Sequence, residues 1–507
     1  MRCLSRFALI GSLVIPACST TFEPQACDLD TDCGSGLVCA IRDQEPVCVR
    51  ASDDPIRIGM TAPVSGTNQA LGTGMKLGIE LAFKEKNAEG GIRGRQLELE
   101  FRDDAYVPDL AEMRARELVD VQPLAAAPRC PTTSTPAVAG ETPISSTALD
   151  RGPNAVLAFI GNVGTPTMVR TAPVAIETGT IFFGAFTGAS TILRDDRAAS
   201  CKSFIFNVRA SYAQEARATV EYFRKRSVTD YKHFISFDQD DSFGQAGYDG
   251  LVQAFREVVG PFPAGAPATN PIVRFRYTRN DNDSVPQQVQ LAANYLASSS
   301  VLNNGGSDIH HVGIMMTDTY GAGAAFIKGL RDWQFANDAQ QQTLNKAGRL
   351  RLYFSNVSFV GPNALSDNLV SLGTVMTPDG PRPYTDSVVV SQVVPNYQND
   401  SSEVVTAYNR LIAAGGHVAG FTSLEGYVSA RVFIAGLESH KGAFKPDTLI
   451  SSFEKLPDLS LGIGASSGFS PTNHQYSNSV WGTILEPNGS FKNLYFWTAG
   501  QPIQFFE

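Results

Sequence analysis

Four of the eight cysteines, Cys27, Cys33, Cys39 and Cys48, crowd one short stretch near the N-terminus. Thiols placed like this either oxidise to disulfides or hold a metal. A segment this short cannot build its own core, so two disulfides are expected to hold it together. Of the possible pairings, the alternating one (Cys27 with Cys39, Cys33 with Cys48) is preferred. Zinc is the rival reading, although the cluster lacks a Cys-x-x-Cys. In the same stretch Asp28-Leu29-Asp30-Thr31-Asp32 starts like a calcium loop. Cys33 stands where that loop needs Gly and Cys39 where it needs Glu, so it reads as a polar loop around a disulfide. Cys130 and Cys201 remain and are expected to pair.

Other residues could carry chemistry but lack a partner set. Asp238, Asp240 and Asp241 follow an apolar run and could meet a cationic ligand or a metal; a solvated loop opening a helix is the preferred reading. His310-His311 opens a strand, with no third metal ligand recognisable. Gly464-Ala465-Ser466-Ser467-Gly468 matches the hydrolase elbow by letters. That elbow needs a strand before it and a helix after it, and here Pro471 follows in a Gly/Ser loop. Gly72-Thr73-Gly74 to Gly78 superficially resembles a dinucleotide loop, but its third Gly is one residue late and the preceding loop is too long. No catalytic dyad or triad and no cofactor site is recognisable, so the chain is not expected to be an enzyme. The net charge of −9 and the absence of a basic stripe argue against nucleic acid as a partner.

The elements that position these residues begin after an export signal. Arg2 and Arg6 precede the apolar run Phe7 to Ile15, and Ile15-Pro16-Ala17-Cys18 resembles a lipoprotein cleavage box. Residues 1–17 are therefore read as a signal peptide and Cys18 as the lipidated residue. No other run approaches the ~18 apolar residues of a membrane helix. The mature chain is expected in the periplasm or outer cell envelope, held to membrane only by lipid. Residues 18–53 form the Cys-rich module and linker. The length exceeds what one core usually serves, so two lobes are expected. An apolar strand (Ile56 to Met60) leads through Pro63-Val64-Ser65-Gly66 and a Gly-bearing loop into an amphipathic helix ending near Asn87. A second strand (Leu97 to Phe101) closes a right-handed βαβ unit. The loop from Ala62 to Gly74 lies at a strand's carboxyl end, where such sheets bind ligands. Strand and helix patterns alternate through Phe354, and Pro487-Asn488-Gly489 between apolar runs marks a hairpin.

This opening block resembles the type I periplasmic solute-binding proteins, the leucine/isoleucine/valine-binding family of ABC transporter receptors. The resemblance rests on Pro63-Val64-Ser65-Gly66, Asn87-Ala88-Glu89-Gly90-Gly91-Ile92-Arg93-Gly94-Arg95 and Asp103-Asp104. It continues through Gly161-Asn162-Val163-Gly164-Thr165, Gly184-Ala185-Phe186-Thr187-Gly188, Asn207 to Tyr212, Asp240 to Gly244, Asn356 to Gly361 and Phe469 to Gln475. It implies an α/β fold of two doubly wound parallel-sheet lobes joined by a hinge. Lobe one is expected over residues 54–208 and 358–478, lobe two over 209–357 and 479–507. A small molecule (an amino acid or a small organic acid or amide) would bind between them. Thr165 and Thr187 would offer hydroxyls, Gly188 a bare amide and Phe186 a wall; Phe243 and Tyr320 would cover the ligand from lobe two. Two departures cast doubt on an α-amino-acid ligand. Ala322 stands near the family's ammonium-binding carboxylate, with Asp318 the nearest acid, and Leu71 replaces an aromatic in the first loop. The implied partner is an ABC permease, or a membrane sensor if the fold serves signalling or interaction instead.

Overall fold

A computed structural model describes residues 25–42, 45–123, 149–190, 204–226, 233–259, 272–298, 300–302, 306–464 and 468–506. Cys18, Cys130, Cys201, Ser466 and the signal-peptide segment lie outside the described residues.

Short apolar runs become the central strands of the first sheet, with the more polar Leu97–Asp103 at its edge. Leu97–Asp103, Ile56–Ala62, Ala158–Ile160, Ile181–Phe183 and Ile205–Phe206 pair in that spatial order as a five-stranded parallel sheet. Strands inaccessible on both faces have no need of alternating polarity, which explains runs such as Ala158–Ile160 and Ile181–Phe183. The second sheet has eight strands. Val273–Tyr277, His233–Gln239, His310–Thr317, Leu350–Asn356 and Val388–Gln392 run parallel. Ser479–Leu485, Phe491–Thr498 and Gln504–Phe505 then continue it antiparallel. The first two of these flank Asn488-Gly489, with Gly489 at φ +85° in the turn.

The chain crosses between the sheets three times. One crossing is Asn207–Ala210 and a second lies between Gln392 and Glu403. The third, His474 to Ser479, runs beside the first: the Asn207 amide donates to His474 O (2.7 Å) and the Tyr476 amide to Asn207 O (2.7 Å). Helices Glu403–Gly415, Phe421–Ser439 and Pro446–Glu454 form part of the first lobe. Helix Pro362–Leu372 instead packs on Tyr320–Phe335, and Val388–Gln392 belongs to the eight-stranded sheet. The stretch from 358 to 392 thus sits with the second sheet, whereas the sequence reading grouped all of 358–478 with the first.

Gly72 and Gly74, read from sequence as loop residues, lie inside helix Gln69–Ala88. They serve close approach. A Cβ on Gly72 would sit 1.9 Å from Pro63 O, and one on Gly78 would sit 1.9 Å from Ser423 O in helix Phe421–Ser439. This excludes the phosphate-loop reading of these glycines, since their bare faces are filled by protein.

The module at residues 25–50 is a two-stranded antiparallel ribbon, Leu37–Arg42 with Glu45–Arg50. Disulfides join Cys27 to Cys39 and Cys33 to Cys48, the alternating arrangement. Its acids are engaged by protein groups. Asp32 accepts from the Asp28 and Leu29 amides, while Asp30 accepts from the Cys39 amide and from Arg93 of the first lobe.

Candidate functional site

The seam between the lobes is built at the carboxyl ends of strands, where backbone turns leave side chains facing the opposite sheet. Ile160 is followed by a turn with Gly161 at φ +65° and Gly164 at φ +99°, which feeds Thr165 into the first turn of helix Thr165–Glu177. Ile181–Phe183 is followed by Gly184 at φ +56° and then Phe186-Thr187-Gly188. These two loops pair, with the Phe186 amide donating to Asn162 O and the Gly164 amide to Phe186 O. The result holds the Thr165 and Thr187 hydroxyls 2.7 Å apart, both wholly buried. Thr187 also bonds Tyr212 OH (3.3 Å) and accepts from the Ala189 amide (3.2 Å). At Gly188 a Cβ would collide with the Tyr212 ring (2.5 Å). Its missing side chain therefore admits Tyr212.

Aromatic rings close the seam from both sides. Phe359 follows strand Leu350–Asn356, and its ring centroid lies 4.9 Å from Phe186, 4.7 Å from Phe243 and 6.2 Å from Tyr106. Phe243 also meets Tyr212 at 5.5 Å. Leu71 is buried, with Gly361 beside it and beside Tyr320; a Cβ on Gly361 would lie 2.8 Å from Leu71. Tyr320 is partly buried and its hydroxyl faces the Ala70 amide (3.5 Å). Polar ties complete the rim, with Asn68 Nδ2 donating to Asn280 Oδ1 (2.7 Å) and Gln239 Nε2 to Tyr106 OH (3.4 Å). Thr165, Phe186, Thr187, Gly188, Phe243, Leu71 and Tyr320 are thus gathered at or beside one seam. Sequence reasoning did not single out Phe359, Tyr106, Tyr212 or Gln239. Tyr212 ends a quoted motif and Phe359 lies within another, which is the signal that was there.

Asp318 is placed differently. It is fully buried against Gly323 in helix Tyr320–Phe335, and neither oxygen has a hydrogen-bond partner beyond the residue's own amide. Burial holds its carboxyl well above the usual carboxylate range. Wholly buried and packed against Gly323, it is poorly placed to meet an ammonium group. Asp104 is likewise buried, accepts from the Tyr106 amide (2.9 Å) and is pushed up to about 7 by desolvation.

The Asp238–Asp241 cluster is engaged by protein cations. Arg274 binds Asp238 through Nε and Nη2 (2.7–3.0 Å), Arg276 meets Asp240 (2.5 Å) and Arg279 meets Asp241 (2.8 Å). Asp238 and Asp241 are buried, so the solvated-loop reading fails for those two. Arg274 and Arg276 come from the neighbouring strand, where Arg276 is the register partner of Asp238, and Arg279 from the turn after it. His310 does open strand His310–Thr317, and His311 stacks on Tyr353 (5.8 Å).

Beside the seam lies a buried charge network. Arg209 on the first crossing donates to Glu215 (2.7 Å) and reaches Glu425 (3.3 Å) in helix Phe421–Ser439. Glu215 accepts in addition from the Ser358 amide (2.7 Å) and Ser391 Oγ (2.6 Å). One carboxylate thus joins the first crossing, the segment after Asn356 and the strand before the second crossing.

Residues 55–142 match the family model described as periplasmic binding protein. The chain is 43% identical over 53 residues to "Leu/Ile/Val-binding protein homolog 2" of Brucella abortus, an alignment covering 10% of this chain and 14% of that relative. Its fold is similar to the solved structure of a possible leucine/isoleucine/valine-binding protein from Rhodopirellula baltica, at 25% identity and TM-score 0.65, covering 88% of this chain and 98% of that one. It is also similar to the leucine-binding protein LivK of Thermotoga maritima, at 15% identity and TM-score 0.61, covering 88% and 99%. Two sheets, three crossings and a strand-end seam agree with these likenesses: the chain has the fold of the type I periplasmic binding proteins.

Proposed function

We propose that this protein is a non-catalytic extracytoplasmic receptor that closes on a small solute and hands it to an ABC permease, tethered to membrane by lipid on Cys18. The observation that supports it best is the seam itself. Two threonine hydroxyls of one lobe lie 2.7 Å apart, and the Phe186, Phe243 and Phe359 rings meet beside them at the junction of the lobes. Hydroxyls and loop amides suit a carboxylate or amide head, and the rings suit an apolar body. Asp241 is held by Arg279 and Asp318 is wholly buried against Gly323, so neither offers an open carboxylate to an ammonium group. The seam therefore favours a small organic acid or amide over an α-amino acid.

Thermal unfolding of the purified protein against amino acids, short organic acids, amides and aromatic acids tests this. A ligand present at ~100 times its dissociation constant adds about 2.7 kcal/mol. Thr165→Ala and Thr187→Ala should remove most of that gain. Full stabilisation in both variants, or turnover of a panel member, would refute the reading.

A further inference from the structure

A cleft lined by none of the seam residues lies where the disulfide module meets the first lobe. Its volume is about 660 Å³, within the range of small-ligand sites. Cys27, Asp28 and Pro46 of the module form one wall; the turn after helix Phe421–Ser439 and the helix Pro446–Glu454 form the other. The cleft exists because the module is docked. Arg93 donates to Asp30 (2.5 Å) and to Gly442 O (2.9 Å), and its guanidinium lies 4.2 Å from the Phe444 ring centroid.

The charge of this cleft runs against the rest of the molecule. Lys441, Lys445 and Lys455 line it, and among the described residues none of the three ammonium groups has an ion-pair or hydrogen-bond partner. Of the other described lysines, Lys76, Lys86, Lys225, Lys328 and Lys346 are paired with acids and Lys84 and Lys492 are not, in a chain of net charge −9. Asp28 is the one acid lining the cleft. Thr448 and Ser452 bring hydroxyls to it. His440, at its base, is held by Ser452 Oγ (3.0 Å) and Ala443 O (3.2 Å), which leaves its ring committed to the protein. Three unpaired ammonium groups with neighbouring hydroxyls are the donor set for a multiply charged oxyanion.

We propose that this composite cleft binds a phosphate group, carried by a soluble phosphorylated molecule or by a lipid headgroup. Titration calorimetry of the full chain with pyrophosphate in 0.15 M salt should show saturable binding. Flotation with phosphatidylglycerol vesicles, with and without competing pyrophosphate, separates the two sources. Binding of pyrophosphate without vesicle capture assigns a soluble ligand; vesicle capture that pyrophosphate abolishes assigns a headgroup. The triple variant Lys441→Gln, Lys445→Gln, Lys455→Gln should weaken binding at least tenfold. These lysines are exposed, so the fold should survive, as circular dichroism will show. Arg93→Ala, which undocks the module wall, should weaken it as well. The proposal is overturned if neither probe binds, if the triple variant binds as tightly as the parent, or if Arg93→Ala leaves affinity unchanged.

Discussion

The hydroxyls of Thr165 and Thr187 come from two different strand-end loops, yet they are 2.7 Å apart and wholly buried. Each loop is locked to the other by backbone bonds at Phe186, so the pair is set before any ligand arrives. Preset donors lose little freedom on binding, which favours affinity. Thr165→Val keeps the shape and deletes the hydroxyl. Solute affinity should fall about tenfold, and losing the Thr165–Thr187 hydrogen bond should cost about 1 kcal/mol of stability. Calorimetric titration and urea unfolding of the same variant measure both.

The Arg209 network is the most vulnerable point of the hinge. Glu215→Ala removes the nearer of two counter-charges of a guanidinium that is fully buried and takes an acceptor from Ser358 and Ser391 as well. A buried charge left uncompensated costs about 3–5 kcal/mol. Glu425→Gln retains a hydrogen-bond acceptor and keeps Glu215 in place, so its loss should be clearly smaller. Denaturant unfolding of the two variants should rank them in that order; equal losses would contradict it.

Helices Gln69–Ala88 and Phe421–Ser439 touch through bare backbone at Gly78 and Gly426. A Cβ on Gly426 would lie 2.4 Å from Met75 O, so alanine there forces the helices apart despite its better helix propensity. Gly78→Ala and Gly426→Ala should each lower stability by about 1–3 kcal/mol. Thermal unfolding decides, and stabilisation by either would mean that the contact is looser than described.

Asp104 gives a pH dependence with a definite sign. Its folded value, about 7, lies above the value near 4 of an unfolded aspartate. Below pH 4 both states hold the proton and the residue has no effect. Between pH 4 and 7 the unfolded chain releases a proton that the folded chain keeps, so stability falls by up to ~1.4 kcal/mol per pH unit. Asp104→Asn should lack this component, gaining on the parent by about 2–4 kcal/mol between pH 4.5 and 7.5. Urea midpoints at the two pH values provide the comparison.

Reducing the two disulfides should release the module and leave the two lobes folded. The module buries little besides Cys27, Val38, Cys39 and Ala40, and each closed loop contributes about 3 kcal/mol. With reductant, limited proteolysis should cut within residues 25–50 while the main thermal transition stays in place. A lowered main transition would show that the first lobe leans on the module.

Apolar runs made the alternation of strands and helices legible, because fully buried parallel strands leave continuous hydrophobic stretches. Contacts decided by register or close approach were not legible. Gly72 looked like a loop residue because glycine is read as a turn former, whereas its bareness admits Pro63. Asp238 looked solvated because Arg274 and Arg276 are distant in sequence and meet it only through strand pairing. Phe359 sits in a short helical turn with no periodicity of its own, so its place between three rings follows from the docking of two lobes. Helix Pro108–Leu118 was also missed; its mean character is polar and few of its residues face the core.

The eight-stranded sheet recruits Ser479–Leu485 directly against Val388–Gln392, and two further strands complete that flank. A nascent polypeptide that has reached Gln392 therefore carries an open row of amides and carbonyls along a hydrophobic strand until more than eighty further residues have been made. Such an edge is a template for pairing with other chains. Vectorial synthesis thus leaves the eight-stranded sheet with an unpaired flank until its closing strands emerge.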